Sequence, residues 1–230
     1  MTEMSKTTSL LILTAVSALL STPAHAREDE QLWATASATF KLTDKWRLSQ
    51  EMTSRFSDNR GGLYELEAVA MASLQLNRNL TAAAGYVFNP QYSDGDLTAR
   101  EHRLREQITI DNVARFGGGK LSARIRLEQR WRENADGTAW RARPYVKYSL
   151  PLRKAGKTAL VFSNETFINL QNTSFQRAEG IDRMRNLIAL STPLSKRLGL
   201  EVGYLNQHGF VRNGEDTVDH AASIALSLTL

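Results

Sequence analysis

Leu121–Arg132 reads LSARIRLEQRWR. Leu121, Ala123, Ile125, Leu127 and Trp131 fall on one parity; Ser122, Arg124, Arg126, Glu128, Arg130 and Arg132 fall on the other. Successive side chains of a strand point to opposite faces, so this segment predicts a strand with one apolar and one charged surface. The run is about twice the usual strand length of about 5–6 residues. A wall of such strands that meets lipid on one side and encloses its charges on the other satisfies both surfaces.

The same alternation extends in both directions. Toward the N-terminus, Leu32, Ala34, Ala36, Ala38 and Phe40 oppose Trp33, Thr35, Ser37 and Thr39, and Trp46, Leu48 and Met52 oppose Arg47, Glu51 and Arg55. Leu63–Leu76 and Leu80–Phe88 follow the rule, and Arg100–Val113 places Glu101, Arg103, Arg105 and Gln107 inward. Toward the C-terminus come Ala139–Leu150, with Arg141, Arg143 and Lys147 inward, then Thr158–Leu170 with Glu165, Ile181–Leu194, Leu198–Gly209 and Val218–Leu230. The connections alternate between tight or basic turns, such as Thr43-Asp44-Lys45 and Ser195-Lys196-Arg197, and more polar loops at Ser57–Gly62, Pro90–Ala99, Glu133–Thr138, Gln171–Gly180 and Phe210–Thr217. Phe56, Tyr64, Tyr86, Phe88, Trp131, Trp140 and Tyr204 are placed on apolar faces beside the loops, and Phe40, Trp46 and Tyr148 beside the turns. Two aromatic bands are what the two interfaces of a bilayer select. A soluble β-sandwich would use the same alternation, but with shorter strands.

The fold expected is all-β: an antiparallel transmembrane barrel of about 10–12 strands, with short periplasmic turns and longer outer loops. Residues 1–26 read as a cleaved signal peptide, with Lys6, an apolar run at Leu10–Leu20 and small residues at Ala24-His25-Ala26, so the barrel occupies 27–230. The expected location is the outer membrane of a Gram-negative bacterium. The chain has no cysteine, which removes disulfides, thiolate zinc sites and lipid attachment at an N-terminal cysteine. Mean hydropathy is negative at −0.36, and no long apolar run follows residue 26, which excludes a helical membrane protein. Several features resist this reading. The runs number eleven, against an even-number rule for bacterial barrels. Glu106, Asn164 and Asn186 fall on the lipid face unless a bulge turns them inward, and Pro144 predicts a bulge or an unpaired position. The terminal residue, Leu230, is not aromatic.

Glu30-Gln31-Leu32-Trp33, LTDKWRL at 42–48, REHRLREQ at 100–107, RLEQR at 126–130, RPYVKYSLPL at 143–152, NETFINL at 164–170 and GYLNQ at 203–207 occur in an order that resembles the bacterial family catalogued as domain of unknown function 2490. The likeness covers nearly all of the chain after residue 26. It implies an outer-membrane barrel and brings no activity and no catalytic residue with it.

The candidate functional residues are the charges lining the lumen: Arg103, Arg105, Arg124, Arg126, Glu128, Arg130, Arg141, Arg143 and Glu165. Enclosed charges must be paired or hydrated. Paired, they form a salt-bridged plug; hydrated, a ring of arginines favours anions in a narrow pore. The net charge of +5 does not point to nucleic acid, because the arginines alternate inward instead of covering a helix. Expected partners are outer-membrane lipid, the barrel-assembly machinery during insertion and a small anionic solute; no cofactor or metal is expected. The reading is therefore a passive barrel, either an anion-leaning pore or a closed structural barrel. The alternative is a membrane-embedded enzyme acting on lipid or lipopolysaccharide at the outer rim. For that, His102 or His208 would join Ser93 and Asp94 or Asp96, with His220 the remaining histidine after residue 26.

Overall fold

The computed structural model describes residues 27–153, 156–176 and 178–230, so the signal-peptide reading of 1–26 lies outside the described residues. Eleven strands close into one barrel. They are β1 (Arg27–Lys41), β2 (Trp46–Ser57), β3 (Gly62–Gln75), β4 (Leu80–Ser93), β5 (Asp96–Phe116), β6 (Gly119–Arg132), β7 (Ala139–Pro151), β8 (Ala159–Asn169), β9 (Gly180–Pro193), β10 (Leu198–Gly209) and β11 (Thr217–Thr229). Each pairs with its sequence neighbours in antiparallel register, and β1 closes on β11.

The odd count is real, and its consequence is geometric. Strands joined by turns alternate in direction, so the first and last of eleven point the same way. The seam is parallel, from Arg27↔Thr217 to Thr39↔Thr229. Backbone bonds Arg27 N to Asp216 O (2.9 Å) and Leu230 N to Thr39 O (2.8 Å) tie off its two ends. Closure leaves no edge with unpaired N–H and C=O groups, the condition for spanning hydrocarbon.

The wall is apolar outside and polar inside. Met52, Ile125, Ile188, Leu190 and Val202 are exposed on the outer surface, whereas Arg105, Glu101, Glu128 and Asn89 are among the most deeply buried side chains. This inverts a soluble core. Two small apolar clusters do occupy the lumen: Trp33, Leu205, Ala221 and Leu187 by the seam, and Val69, Met71, Val87 and Ala83 between β3 and β4.

Local departures from the sequence reading have identifiable causes. A register shift between Arg55 and Phe56 turns Tyr64 into the lumen, where its hydroxyl donates to Gln31 Oε1 at 2.7 Å, so it does not belong to the outer aromatic band. β4 and β5 continue past Pro90–Ala99 to a two-residue turn, Asp94-Gly95, with φ of 53° and 85°. Positive φ at both positions matches a type I′ hairpin, which asparagine, aspartate and glycine accept readily. Pro144 pairs with Ile125 on β6, and the β7–β8 ladder skips it without changing register, so it is unpaired toward β8 alone and unbulged. Glu106 is paired without a bulge and stays on the outer face, accepting from Gln129 Nε2 at 3.4 Å. Asn164 and Asn186 also face outward and satisfy each other at 2.8 Å.

Candidate functional site

The ladder register builds the interior. Arg105, Glu128 and Arg141 are directly opposite one another on β5, β6 and β7, so one carboxylate lies between two guanidinium groups. Glu128 accepts from Arg105 (3.0 Å), Arg141 (2.7 Å) and Arg143 (2.8 Å), and its side chain is 0% exposed. One turn of the pleat nearer the loops, Glu101 collects Arg103 (2.6 Å), Arg130 (2.7 Å) and Arg132 (3.4 Å). Glu67 reaches in from β3 to Arg103 (2.9 Å) and Arg105 (3.0 Å), and Glu165 from β8 to Arg143 (2.8 Å) and Arg124 (2.5 Å). The result is one connected array spanning β3 and β5–β8. Charge-assisted bonds of this kind are the strong ones, and the bidentate guanidinium fork suits them.

The opposite side of the lumen is filled differently. Arg55 stacks on the Trp33 ring at 4.2 Å, and Arg185 lies 4.7 Å from Trp33 and 4.5 Å from Phe167; Arg143 covers Phe167 at 4.3 Å. This chain of alternating cations and rings runs from β2 and β1 across to β9, β8 and β7. Cation–π contacts gain when water is excluded, as here. Phe167 is 2% exposed. Together the ion array and the stack link inward side chains of β1–β3 and β5–β9 across the lumen.

Above this floor lies a cup of about 640 Å³, bordered at its loop end by Arg60, Ser93, Arg132, Gln176 and Val211. Its lining holds nine arginines against four carboxylates, Glu65, Glu67, Asp182 and Asp219. Residues 171–176 fold over it: Gln176 accepts from Arg130 at 2.8 Å and donates to Trp140 O (3.1 Å) and Gln171 O (2.8 Å). Phe175 of that loop lies 5.4 Å from the Arg132 guanidinium.

All nine residues expected to line the lumen lie on inward parity. Arg103, Arg130, Arg141 and Arg143 contribute to the cup, while Arg105, Arg124, Glu128 and Glu165 sit in the ion array. Arg126 stands apart, bonded to Gln107 Oε1 at 2.9 Å. Trp33, Phe167, Arg55 and Arg185 complete the floor; parity with Glu165 and Thr35 was the available signal for the two rings.

The rim residues do not assemble. His102 lies on the outer face against Tyr86 (2.5 Å) and Glu133 (3.5 Å), and His220 pairs with Tyr204 at 2.5 Å. Ser93 lines the cup and donates to Asp94 at 3.1 Å; no hydrogen bond joins it to a histidine among the described residues. His208 meets Asp216 at 2.9 Å. In the 133–138 loop, the hydrogen bond from Arg100 holds the Glu133 carboxyl below its ordinary range, helped by His102. Asp216 is lowered likewise by the Val211 N–H and His208. Among the described residues no three His, Cys, Asp or Glu side chains group as a metal site.

Comparison with known proteins agrees with the architecture. An uncharacterised protein of Methylorubrum extorquens is 27% identical over 220 residues, covering 94% of this chain and 96% of that one. Among solved structures, LpxR from Salmonella typhimurium superimposes with a TM-score of 0.52 at 11% identity, covering 90% of this chain and 92% of LpxR, a likeness of fold alone. An anion-selective porin from Comamonas acidovorans reaches a TM-score of only 0.37 at 13% identity, covering 82% of this chain and 54% of the porin, and carries no argument. Residues 30–218 match the family described as protein of unknown function DUF2490, and the chain belongs to that family.

Proposed function

We propose that the chain is an outer-membrane barrel closed to through-flow, whose working surface is the arginine-lined cup at its loop end. The observation that carries this reading is Glu128 of β6, fully buried on the inner side of the wall with three guanidinium groups locked onto it. An open pore needs a water-filled path past that point, and the cup's lining stops at Glu67, Arg143 and Arg185. The apolar outer wall supports a bilayer location, with the signal reading of residues 1–26 supplying the export route and the barrel-assembly machinery the insertion. The loop end then faces the exterior. An enzyme at the rim would need Ser93 to meet His102 or His208, yet Ser93 lines the cup, His102 lies on the outer wall and His208 is bonded to Asp216.

Membrane fractionation with heat-modifiable gel migration tests the location: a folded, faster band in the outer-membrane fraction is expected, and a soluble periplasmic species overturns it. Vesicles carrying the purified protein should not swell in isotonic arabinose or chloride salts. Swelling at rates above empty vesicles would contradict closure.

A further inference from the structure

We propose that the cup binds a phosphorylated saccharide. Four features point to that chemistry. First, the cationic excess is not fully spent on the plug: Arg185 forms no ion pair among the described residues, bonding only the neutral Gln207 Oε1 at 2.6 Å between two aromatic rings. Second, Arg55, Arg132 and Arg143, all in the lining, each keep an Nε donor without an acceptor, whereas buried donors in folded proteins are nearly always paired. Third, the lining also carries amides, and Asn169, 4% exposed, leaves its Oδ1 without a donor while its Nδ2 serves Ala178 O at 2.9 Å. Fourth, Tyr92, Phe175 and Phe210 supply flat apolar faces at the mouth, the surface on which a sugar ring rests.

Arginines distributed over a floor of this width suit several anionic groups, and guanidinium forks match phosphate oxygens in pairs. Hydroxyls answer the amides of the lining, Gln91 and Gln207 among them, and ring faces answer the aromatics. The volume of about 640 Å³ lies within the usual range of about 300–1,000 Å³ for small-ligand sites. Such a ligand has two possible sources, a free sugar phosphate or the phosphorylated glycan of the surrounding lipopolysaccharide. The inference rests on the closed floor proposed above.

The test is calorimetric titration of the detergent-solubilised, heat-modifiable protein with glucose 1,6-bisphosphate and, separately, with deacylated phosphorylated lipopolysaccharide oligosaccharide. Saturable binding of at least one is expected, weakened by added salt and absent for unphosphorylated glucose. Tighter binding of the oligosaccharide assigns the surface glycan as source; tighter binding of the bisphosphate assigns a free solute. Arg185→Gln should weaken binding about tenfold, the loss of one charged hydrogen bond. Phe175→Ala, in a loop outside the wall, should also weaken it, which covers the case where Arg185→Gln fails to fold. Arg47→Gln, among residues that do not line the cup, should leave binding unchanged. No saturable heat with either phosphorylated saccharide, or equal binding of glucose, overturns the proposal. A protein that fails here yet does not swell vesicles leaves the closed barrel standing; one that swells them removes the floor itself.

Discussion

Hairpins β4–β5 and β10–β11 share an outer face and differ inside. Gly85-Tyr86 on β4 and Gly203-Tyr204 on β10 each place a tyrosine hydroxyl 2.5 Å from a histidine Nδ1, His102 and His220, on the following strand. Each glycine sits where a Cβ would strike the neighbouring backbone, at Ala70 O and Ile188 O respectively, so both strands approach their neighbours closely. Three residues after each tyrosine comes an amide that accepts from an arginine: Asn89 from Arg103, and Gln207 from Arg185 at 2.6 Å. An acid precedes each histidine. Beyond this the inward sequences part. β5 continues Arg103, Arg105, Gln107, while β11 continues Ala221, Ser223, Ala225. One hairpin fills its share of the lumen with paired charge, the other with small and apolar side chains against Trp33 and Leu205. The same scaffold thus accepts two solutions to filling a narrow barrel, and they should fail differently. An apolar filling loses packing when altered; a buried ion array leaves stranded charges when one member is removed, which costs far more than the intact array contributes.

The equivalent acids give the largest contrast. Glu101→Gln removes the carboxylate that Arg130 and Arg132 share with Arg103, leaving the first two without an ion pair, and should destabilise the barrel by about 3–5 kcal/mol, as removal of one partner from a buried pair does. Asp219→Asn loses little more than the bond from Gln207 (2.5 Å) and should cost about 1 kcal/mol. Urea unfolding in vesicles, followed by tryptophan fluorescence, measures both; equal losses would erase the distinction between the hairpins.

Next comes packing. Ala221 is fully buried against Trp33 and Leu205, so Ala221→Leu should overpack the seam side and cost about 1–3 kcal/mol in the same assay. Smaller again are the outer faces. Tyr86→Phe and Tyr204→Phe each remove one exposed hydrogen bond and should cost similar amounts, about 1 kcal/mol or less. A clear difference between them would show that the outer likeness is only geometric.

The smallest effect is a pH dependence at the loop ends, read here at Glu133, which Arg100 of β5 holds. Glu133, held below its ordinary value of 4.5 by Arg100, contributes stability that is present above that value and lost as pH falls through its lowered folded-state pKa. Hydrogen exchange in the 133–138 loop should therefore speed up as acid protonates this carboxyl, and Glu133→Gln should make the loop's exchange indifferent to pH in that window. Unchanged pH dependence in the variant would remove Glu133 as the cause.

Parity made much of this legible in the sequence. The inward positions of Arg105, Glu128 and Arg141 follow from counting by twos along three runs, and hairpin pairing puts them in one row. What parity does not carry is register irregularity: the shift beside Arg55 that turns Tyr64 inward has no marker in the run itself. Nor does it carry contacts across the lumen, such as Arg185 reaching both Trp33 and Phe167, because those depend on barrel width and tilt rather than on neighbouring ladders. The odd strand count was legible but conflicted with a rule about even barrels, and only the parallel seam reconciles it. The rim histidines misled for a simple reason. Nearness of Ser93 to His102 along the chain says nothing about which side of the wall each one faces.

Single-channel recording in planar bilayers tests the closed lumen most directly. The purified barrel should insert, as judged by protease protection of its strands, and remain electrically silent across both polarities in molar potassium chloride. Discrete, reproducible conductance steps from the unaltered chain would contradict the account, because they would require an open path past Glu128 and its three arginines.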